Sequence, residues 1–238
     1  MIEVFFDCSS LWTYLAFHNL PPLADDLAKT ITWRLVLVGG VFNTVNPSVY
    51  AGRQRPVSAK ATYMLKDLND RAREAGLKIR MSPTVFPANS VKAMRACILL
   101  EPAGQLVDIA RATFEAHWGR DEDISRDDIL QGICRAAGAD PTTVLAGIGE
   151  PAIKAALKAN TDKLITRAGF GAPTVFVGGS DMLSGNDRLR LVRSAVLRAR
   201  DYRPVFKPGT GPFRPRSRAY CRQPALGLGG SIVLLVRQ

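Results

Sequence analysis

Two stretches of mixed strand and helix pattern bracket a long middle that is almost wholly helical, and that interruption constrains the fold more than any other feature of the chain. Ile2–Asp7 is a short apolar run fit for a buried strand, bounded by Asp7-Cys8-Ser9-Ser10. Behind it Trp12, Leu15, Ala16 and Leu20 recur at three- and four-residue spacing, and Ser9 or Ser10 is a good N-cap, so a helix follows. Pro21-Pro22 should bend or restart that helix, with Leu23–Ala28 adding a further turn or two. Ile31–Val38, rich in β-branched residues and closed by Gly39-Gly40, reads as a second strand. A crossover of this length implies parallel pairing of the two strands.

The middle changes character. Asn43–Pro56 has the composition of a loop and carries Arg53-Gln54-Arg55. Ser58–Ala75 places Ala61, Met64, Leu65, Leu68 and Ala72 on one helical face and stops at Gly76. Past Pro83 and Pro87, Ser90 is placed to cap a helix through Leu100, and Ala103–Trp118, Ser125–Ala137 and Pro141–Ala146 read as further helices. Pro151 takes the first position of a long helix reaching Arg167. The β pattern then resumes. Gly169-Phe170-Gly171-Ala172-Pro173 leads into a strand at Thr174–Val177, a turn at Gly178-Gly179-Ser180-Asp181, a short partner strand at Met182-Leu183 and a final helix, Arg188–Ala199. A hairpin plus helix set after a β-α-β unit is the second half of a thioredoxin-type domain. The expected class is α/β: a thioredoxin-like domain formed by 1–56 and 165–200, interrupted by an all-α helical insertion at 57–164. Residues 201–238 are a basic Pro/Gly-rich tail, expected to be disordered.

The net charge of +11 raises the question of a polyanionic partner, and its location answers it. From Arg200 to Gln238 eight Lys/Arg face one acid, Asp201, which leaves +4 for the rest. The tail can hold polyanions without sequence preference. The body shows no basic stripe interleaved with aromatics, so no specific nucleic-acid partner is expected. No apolar run approaches the ~20 residues of a membrane helix. Met1–Asp7 has neither a basic n-region nor a cleavage site, and a cytoplasmic protein is expected. Cys8, Cys97, Cys134 and Cys221 are scattered without a CxxC, and His18 and His117 are far apart. Neither a dithiol motif nor a metal site is expected, and each histidine reads as a helix-surface or satisfied core residue.

Three short motifs carry chemistry. Ser10 stands where the first strand gives way to a helix, facing backbone N–H groups and a dipole that favour an anion. A cysteine there would have a depressed pKa. A serine has no redox chemistry but can donate a hydrogen bond to a thiolate brought from solution. Read alone, it is more often simply an N-cap. Ala172-Pro173, ahead of a buried strand and behind glycines, is a candidate cis bond that would leave Ala172 free to pair with a peptide ligand. Otherwise it is an ordinary strand-entry proline. Gly185-Asn186-Asp187-Arg188 reads as a helix cap, or as a carboxylate and helix-end amides that hold the charged end of a γ-glutamyl group.

In order and separation these motifs resemble a known family. The stretch Phe6-Asp7-Cys8-Ser9-Ser10-Leu11-Trp12-Thr13-Tyr14-Leu15-Ala16 is similar to the opening motif of 2-hydroxychromene-2-carboxylate isomerases and their relatives, the kappa-class glutathione transferases and the DsbA family. Gly39–Asn43, Lys60–Leu68, Phe86–Ser90, Phe170–Thr174 and Gly185–Leu189 follow in the family's order, so the resemblance covers about residues 2–199. It implies a thioredoxin-like domain with a helical insertion, a homodimer, glutathione as cofactor and a small-molecule substrate. Ser10 would be the catalytic residue, stabilising the glutathione thiolate. Ala172, before Pro173, would pair with the cysteinyl backbone, and Gly185, Asn186 and Asp187 would hold the γ-glutamyl end. Lys60 aligns with a family lysine near the ligand, and Gln54 and Arg55 fall where the isomerases meet their carboxylate substrate. The family usually has proline after the serine, where this chain has Leu11.

The resulting expectation is a glutathione-dependent isomerase of an aromatic-derived unsaturated carboxylate, within aromatic catabolism. A kappa-type glutathione transferase is the nearest rival, separated by whether glutathione is consumed. A dithiol oxidoreductase is disfavoured by serine at 10 and threonine at 13. A non-catalytic binding module, with the basic tail as its working part, is the reading from a different class.

Overall fold

The computed structural model describes residues 1–201, with side chains through Ala199. The tail expected to be disordered lies outside the described residues, apart from Asp201, which ends the last helix. A four-stranded sheet with order β2-β1-β3-β4 organises the rest. β1 (Ile2–Phe6) pairs parallel with β2 (Ile31–Leu35), Ile2 opposite Ile31 and Phe6 opposite Leu35. On its other side β1 runs antiparallel to β3 (Thr174–Val177), which is antiparallel in turn to β4 (Asp181–Ser184). This is the β-α-β unit plus hairpin expected for a thioredoxin-type domain.

β1 is buried along its whole length. Side chains alternate across a strand, so Ile2, Val4 and Phe6 enter the larger core while Phe5 joins Val36, Val41, Leu164 and Phe176 on the opposite face. α1 (Leu11–Asp26) and α10 (Leu189–Asp201) cover the first face, and α9 (Pro151–Thr166) covers the second. The larger core continues without a break into the helical layer. Phe114 stacks on Tyr14 at 5.0 Å and lies 5.2 Å from Phe17 and 6.4 Å from Phe6.

Several elements depart from expectation. Pro21 and Pro22 do not restart α1; they sit inside one helix. Two prolines leave the carbonyls of Phe17 and His18 without their usual helical donors. Leu20 and Ala24, fully buried on either side, hold the segment in register against the core. β2 stops at Leu35, short of Val38, and Gly39-Gly40 lies inside a helix, α2 (Val38–Val45). The cause is competition for backbone donors. Val36 still bonds the Phe6 carbonyl, but the Leu37 N–H goes to Thr161 Oγ1 at 3.1 Å and the Val38 N–H to the Asp7 carboxylate at 2.9 Å.

The loop expected over Asn43–Pro56 contains a short helix, α3 (Ser48–Gln54), begun by an Asn46 turn in which Ser48 Oγ donates to Asn46 Oδ1 at 2.8 Å. In α4 (Ser58–Glu74) only the second half of the expected apolar face is covered: Leu68 and Ala72 are buried, but Met64 and Leu65 are exposed. Ser90 precedes α5 (Val91–Leu100) without a side-chain cap bond; Asn89 Oδ1 accepts from Val91 N instead. The helix expected over Ala103–Trp118 begins only at Leu106 as α6 (Leu106–Phe114), because Gly104 takes a left-handed φ of 74°, and it widens into a π-turn at Glu115–Gly119. α7 (Asp127–Ala136) and α8 (Pro141–Gly147) complete the layer.

Candidate active site

The loop after β1 is built around a carboxylate. Asp7 is buried, and its two oxygens accept from Ser9 N and Val38 N, both at 2.9 Å. One side chain thus fixes the approach to α1 and the start of α2. From the helical layer, Trp118 Nε1 donates to the Cys8 carbonyl at 2.9 Å. Held from both sides, the chain delivers Ser10 to the N-cap of α1 with an extended backbone (φ −103°, ψ 117°). Ser10 Oγ accepts from Thr13 N at 3.3 Å and donates to the Ala172 carbonyl at 3.1 Å. No acid occupies the first turn of α1, so its dipole is not neutralised there.

The second motif meets the first at that bond. Ala172–Pro173 is cis. The Ala172 carbonyl is taken by Ser10, while its N–H has no acceptor among the described residues. The third motif joins through Gly185 N, which donates to the Pro173 carbonyl at 3.0 Å. Gly185 has φ of 103°, and a Cβ there would stand 2.7 Å from Asp187 Oδ1, so the position requires glycine. The 3₁₀ turn Asn186–Arg188 packs on α1. Asn186 is buried and its Oδ1 has no donor among the described residues, whereas Asp187 is exposed and ion-paired with Arg188. Two hydrogen bonds therefore join the three motifs, one of them spanning the 162 residues between Ser10 and Ala172.

Gln54, Arg55 and Lys60 are not tied to this cluster. All three are exposed at the end of α3 and the start of α4, with no hydrogen bond to Ser10 or Ala172. The α3 residue that does reach toward it is Arg53, whose guanidinium lies 5.7 Å from the Phe42 ring and 5.3 Å from the Phe86 ring. Phe42 Cε1 comes within 3.7 Å of the Cβ position of Gly171, next to Ala172. Charge at 53–55 was legible in sequence; the aromatic clamp on Arg53 was not, because Phe42 and Phe86 are distant along the chain.

The described cysteines offer no nucleophile. Cys8, two residues before Ser10, is buried, and burial pushes its thiol far up, reinforced by Cys97 beside it. Burial raises Cys134 to about 11. Among the described residues no group of three or more His, Cys, Asp or Glu is placed to hold a metal ion. His18 is exposed, as expected. His117 is a core residue but not a satisfied one: Nδ1 lies 3.4 Å from the Glu122 carbonyl, Nε2 has no partner among the described residues, and burial lowers its pKa. A helix terminus, the Ser10 hydroxyl, the Ala172 N–H and the buried Asn186 amide oxygen are the polar groups of the three motifs that stand open or redirectable among the described residues.

The chain is similar to known proteins over most of its length. The chain is 28% identical over 203 residues to the 2-hydroxychromene-2-carboxylate isomerase of Pseudomonas putida, covering 83% of this chain and 95% of the relative. It is 25% identical over 206 residues to glutathione S-transferase kappa 1 of Rattus norvegicus, covering 81% and 88% respectively. A solved 2-hydroxychromene-2-carboxylate isomerase superposes with a TM-score of 0.70 at 25% identity, over 83% of this chain and 95% of that one. Residues 1–197 match the model of the DSBA-like thioredoxin domain, and the chain belongs to that family.

Proposed function

We propose that this protein is a glutathione-dependent isomerase of an unsaturated, aromatic-derived carboxylate of the 2-hydroxychromene-2-carboxylate type. The observation that carries the reading is the Ser10 hydroxyl at the N-terminus of α1, held against the carbonyl of Ala172. Glutathione, when bound, supplies a thiolate nucleophile that is returned unchanged at the end of the cycle.

The chain's own groups fit that ligand. Rotation of the Ser10 O–H from the Ala172 carbonyl to the sulfur converts a neutral hydrogen bond into a charge-assisted one. It also frees the carbonyl to accept an N–H from the ligand's cysteinyl backbone, while Ala172 N–H donates in return. The charged bond contributes roughly 1.5–3 kcal/mol and the neutral one it replaces about 0.5–1.5. The helix terminus adds about 0.3–2. At ~1.36 kcal/mol per unit the central values of these ranges lower the thiol pKa by about one to two units. Asn186 Oδ1, buried without a donor, suits the γ-glutamyl ammonium, and Asp187 adds negative charge at the rim. Arg53, with Gln54 and Arg55 beside it and Lys60 at the start of α4, supplies cationic and polar groups for the substrate carboxylate. A homodimer would cover the exposed face of α4 at Tyr63, Met64 and Leu65. A cytoplasmic location accords with the free, buried thiols of Cys8, Cys97 and Cys134 among the described residues.

Turnover of a hydroxychromene carboxylate with product analysis tests the assignment. Isomerised product with glutathione recovered intact is expected, and Ser10→Ala should lose most of the rate. Accumulation of a glutathione conjugate would instead make the protein a kappa-type transferase, the reading that the rat relative favours.

A further inference from the structure

Between α2, α5 and α9 lies a cleft of about 320 Å³ that is not lined by Ser10, Ala172 or Asn186. Leu37, Leu157 and Ile165 give it apolar walls. Facing them are three cations, Arg95 from α5 and Lys154 and Lys158 from α9, and one acid, Asp162. That acid is already engaged, since Lys158 Nζ bonds Asp162 Oδ2 at 2.5 Å. The hydroxyls are engaged as well. Thr161 accepts from Leu37 N and donates to the Leu157 carbonyl, and Thr44 donates to the Gly40 carbonyl.

What remains unmet is positive. Arg95 and Lys154 have no carboxylate or other acceptor among the described residues. Arg95 Nε is moreover shut away from solvent without an acceptor. A guanidinium cannot shed its proton to relieve that state, and buried donors are as a rule satisfied. An anion from outside the described residues would supply the missing partner, and a planar carboxylate matches the fork of the guanidinium. The volume stands at the small end of ligand pockets, and the apolar walls match a hydrocarbon body better than a fully hydrated inorganic ion.

We propose that this cleft binds a small organic carboxylate, its charge held by Arg95 and Lys154 and its apolar body lying against Leu37, Leu157 and Ile165. The site is separate from the one built on Ser10 and does not depend on the proposed chemistry there.

The test is a titration of the isotope-labelled full-length chain at low ionic strength, followed by the backbone amide resonances of Gly40, Arg95 and Thr161. The probes are benzoate, the uncharged isostere benzamide and inorganic phosphate. Benzoate should saturate these resonances with a Kd of about 1 mM or tighter. Arg95→Gln and Lys154→Met should each weaken it at least tenfold, and Ser10→Ala should leave it unchanged. If Arg95→Gln loses its folded amide spectrum, Lys154→Met decides alone. Absence of saturable benzoate binding overturns the proposal. So do unchanged affinity in the cleft variants, loss of binding in Ser10→Ala, equal affinity for benzamide, and phosphate binding as tightly as benzoate.

Discussion

Glu3 offers a test in which structure sets the magnitude. It lies on β1 with its side chain 5% exposed, and it accepts from Arg34 Nε at 3.1 Å, Lys163 Nζ at 2.6 Å and the Arg167 guanidinium. Burial alone would raise its pKa. The hydrogen bonds from Lys163, Arg167 and Arg34 outweigh that and lower it from 4.5 to about 2. Because the folded value lies below the unfolded one, the stabilisation is complete above pH 4.5 and is lost as pH falls through about 2. The shift corresponds to roughly 3 kcal/mol at pH 7, less than half of that at pH 3 and little of it near pH 2. Glu3→Gln should therefore unfold in urea with a deficit of about 3 kcal/mol at neutral pH, narrowing by more than half at pH 3. Arg34 and Lys163 are partly exposed and can hydrate themselves once the acid is gone, so the deficit should not grow much beyond that figure. A loss under ~1 kcal/mol at pH 7, or a gap that stays constant down to pH 3, refutes the reasoning.

Asn186→Ala should raise the KM for glutathione about tenfold, the equivalent of ~1.4 kcal/mol. It should leave the melting temperature of the free protein unchanged or higher, because the deletion removes a buried acceptor that no donor among the described residues meets. A lowered melting temperature with unchanged KM would show that Asn186 serves only the fold. For His117, burial holds the folded pKa below 6.5, so its contribution is present above that pH and lost as pH falls through the lower folded value. The fall in urea stability on going from pH 7 to 5 should be smaller in His117→Phe than in the parent chain, and an equal fall in both would contradict the assignment.

Much of the site could be read in sequence because its parts are local. Ser10 precedes an apolar helical periodicity, Pro173 precedes a β-branched run, and Gly185-Asn186-Asp187 opens a helix; each signal spans a few residues. What joins Ser10 to the other two was not local. The Ser10–Ala172 bond depends on β1 and β3 being sheet neighbours, whereas the Gly185–Pro173 bond closes the β3–β4 hairpin. The same limit hid Glu3, whose cationic partners lie 31, 160 and 164 residues away. Two local rules misled for a related reason. Gly39-Gly40 reads as a strand terminus, but Asp7 and Thr161 capture the donors that would have extended β2, and the chain enters a helix. Pro21-Pro22 reads as a break, but burial of Leu20 and Ala24 overrides it.

The central claim is that Ser10 stabilises a thiolate the protein does not own. It is tested most directly by ultraviolet titration of the thiolate absorbance of bound glutathione against pH, in the parent chain and in Ser10→Ala. Free cysteine thiols titrate near 8.5. The bound value should lie about one to two units lower in the parent chain, with most of that shift lost in Ser10→Ala. A bound thiol that titrates like the free one, or a depressed value that survives removal of the hydroxyl, would contradict it.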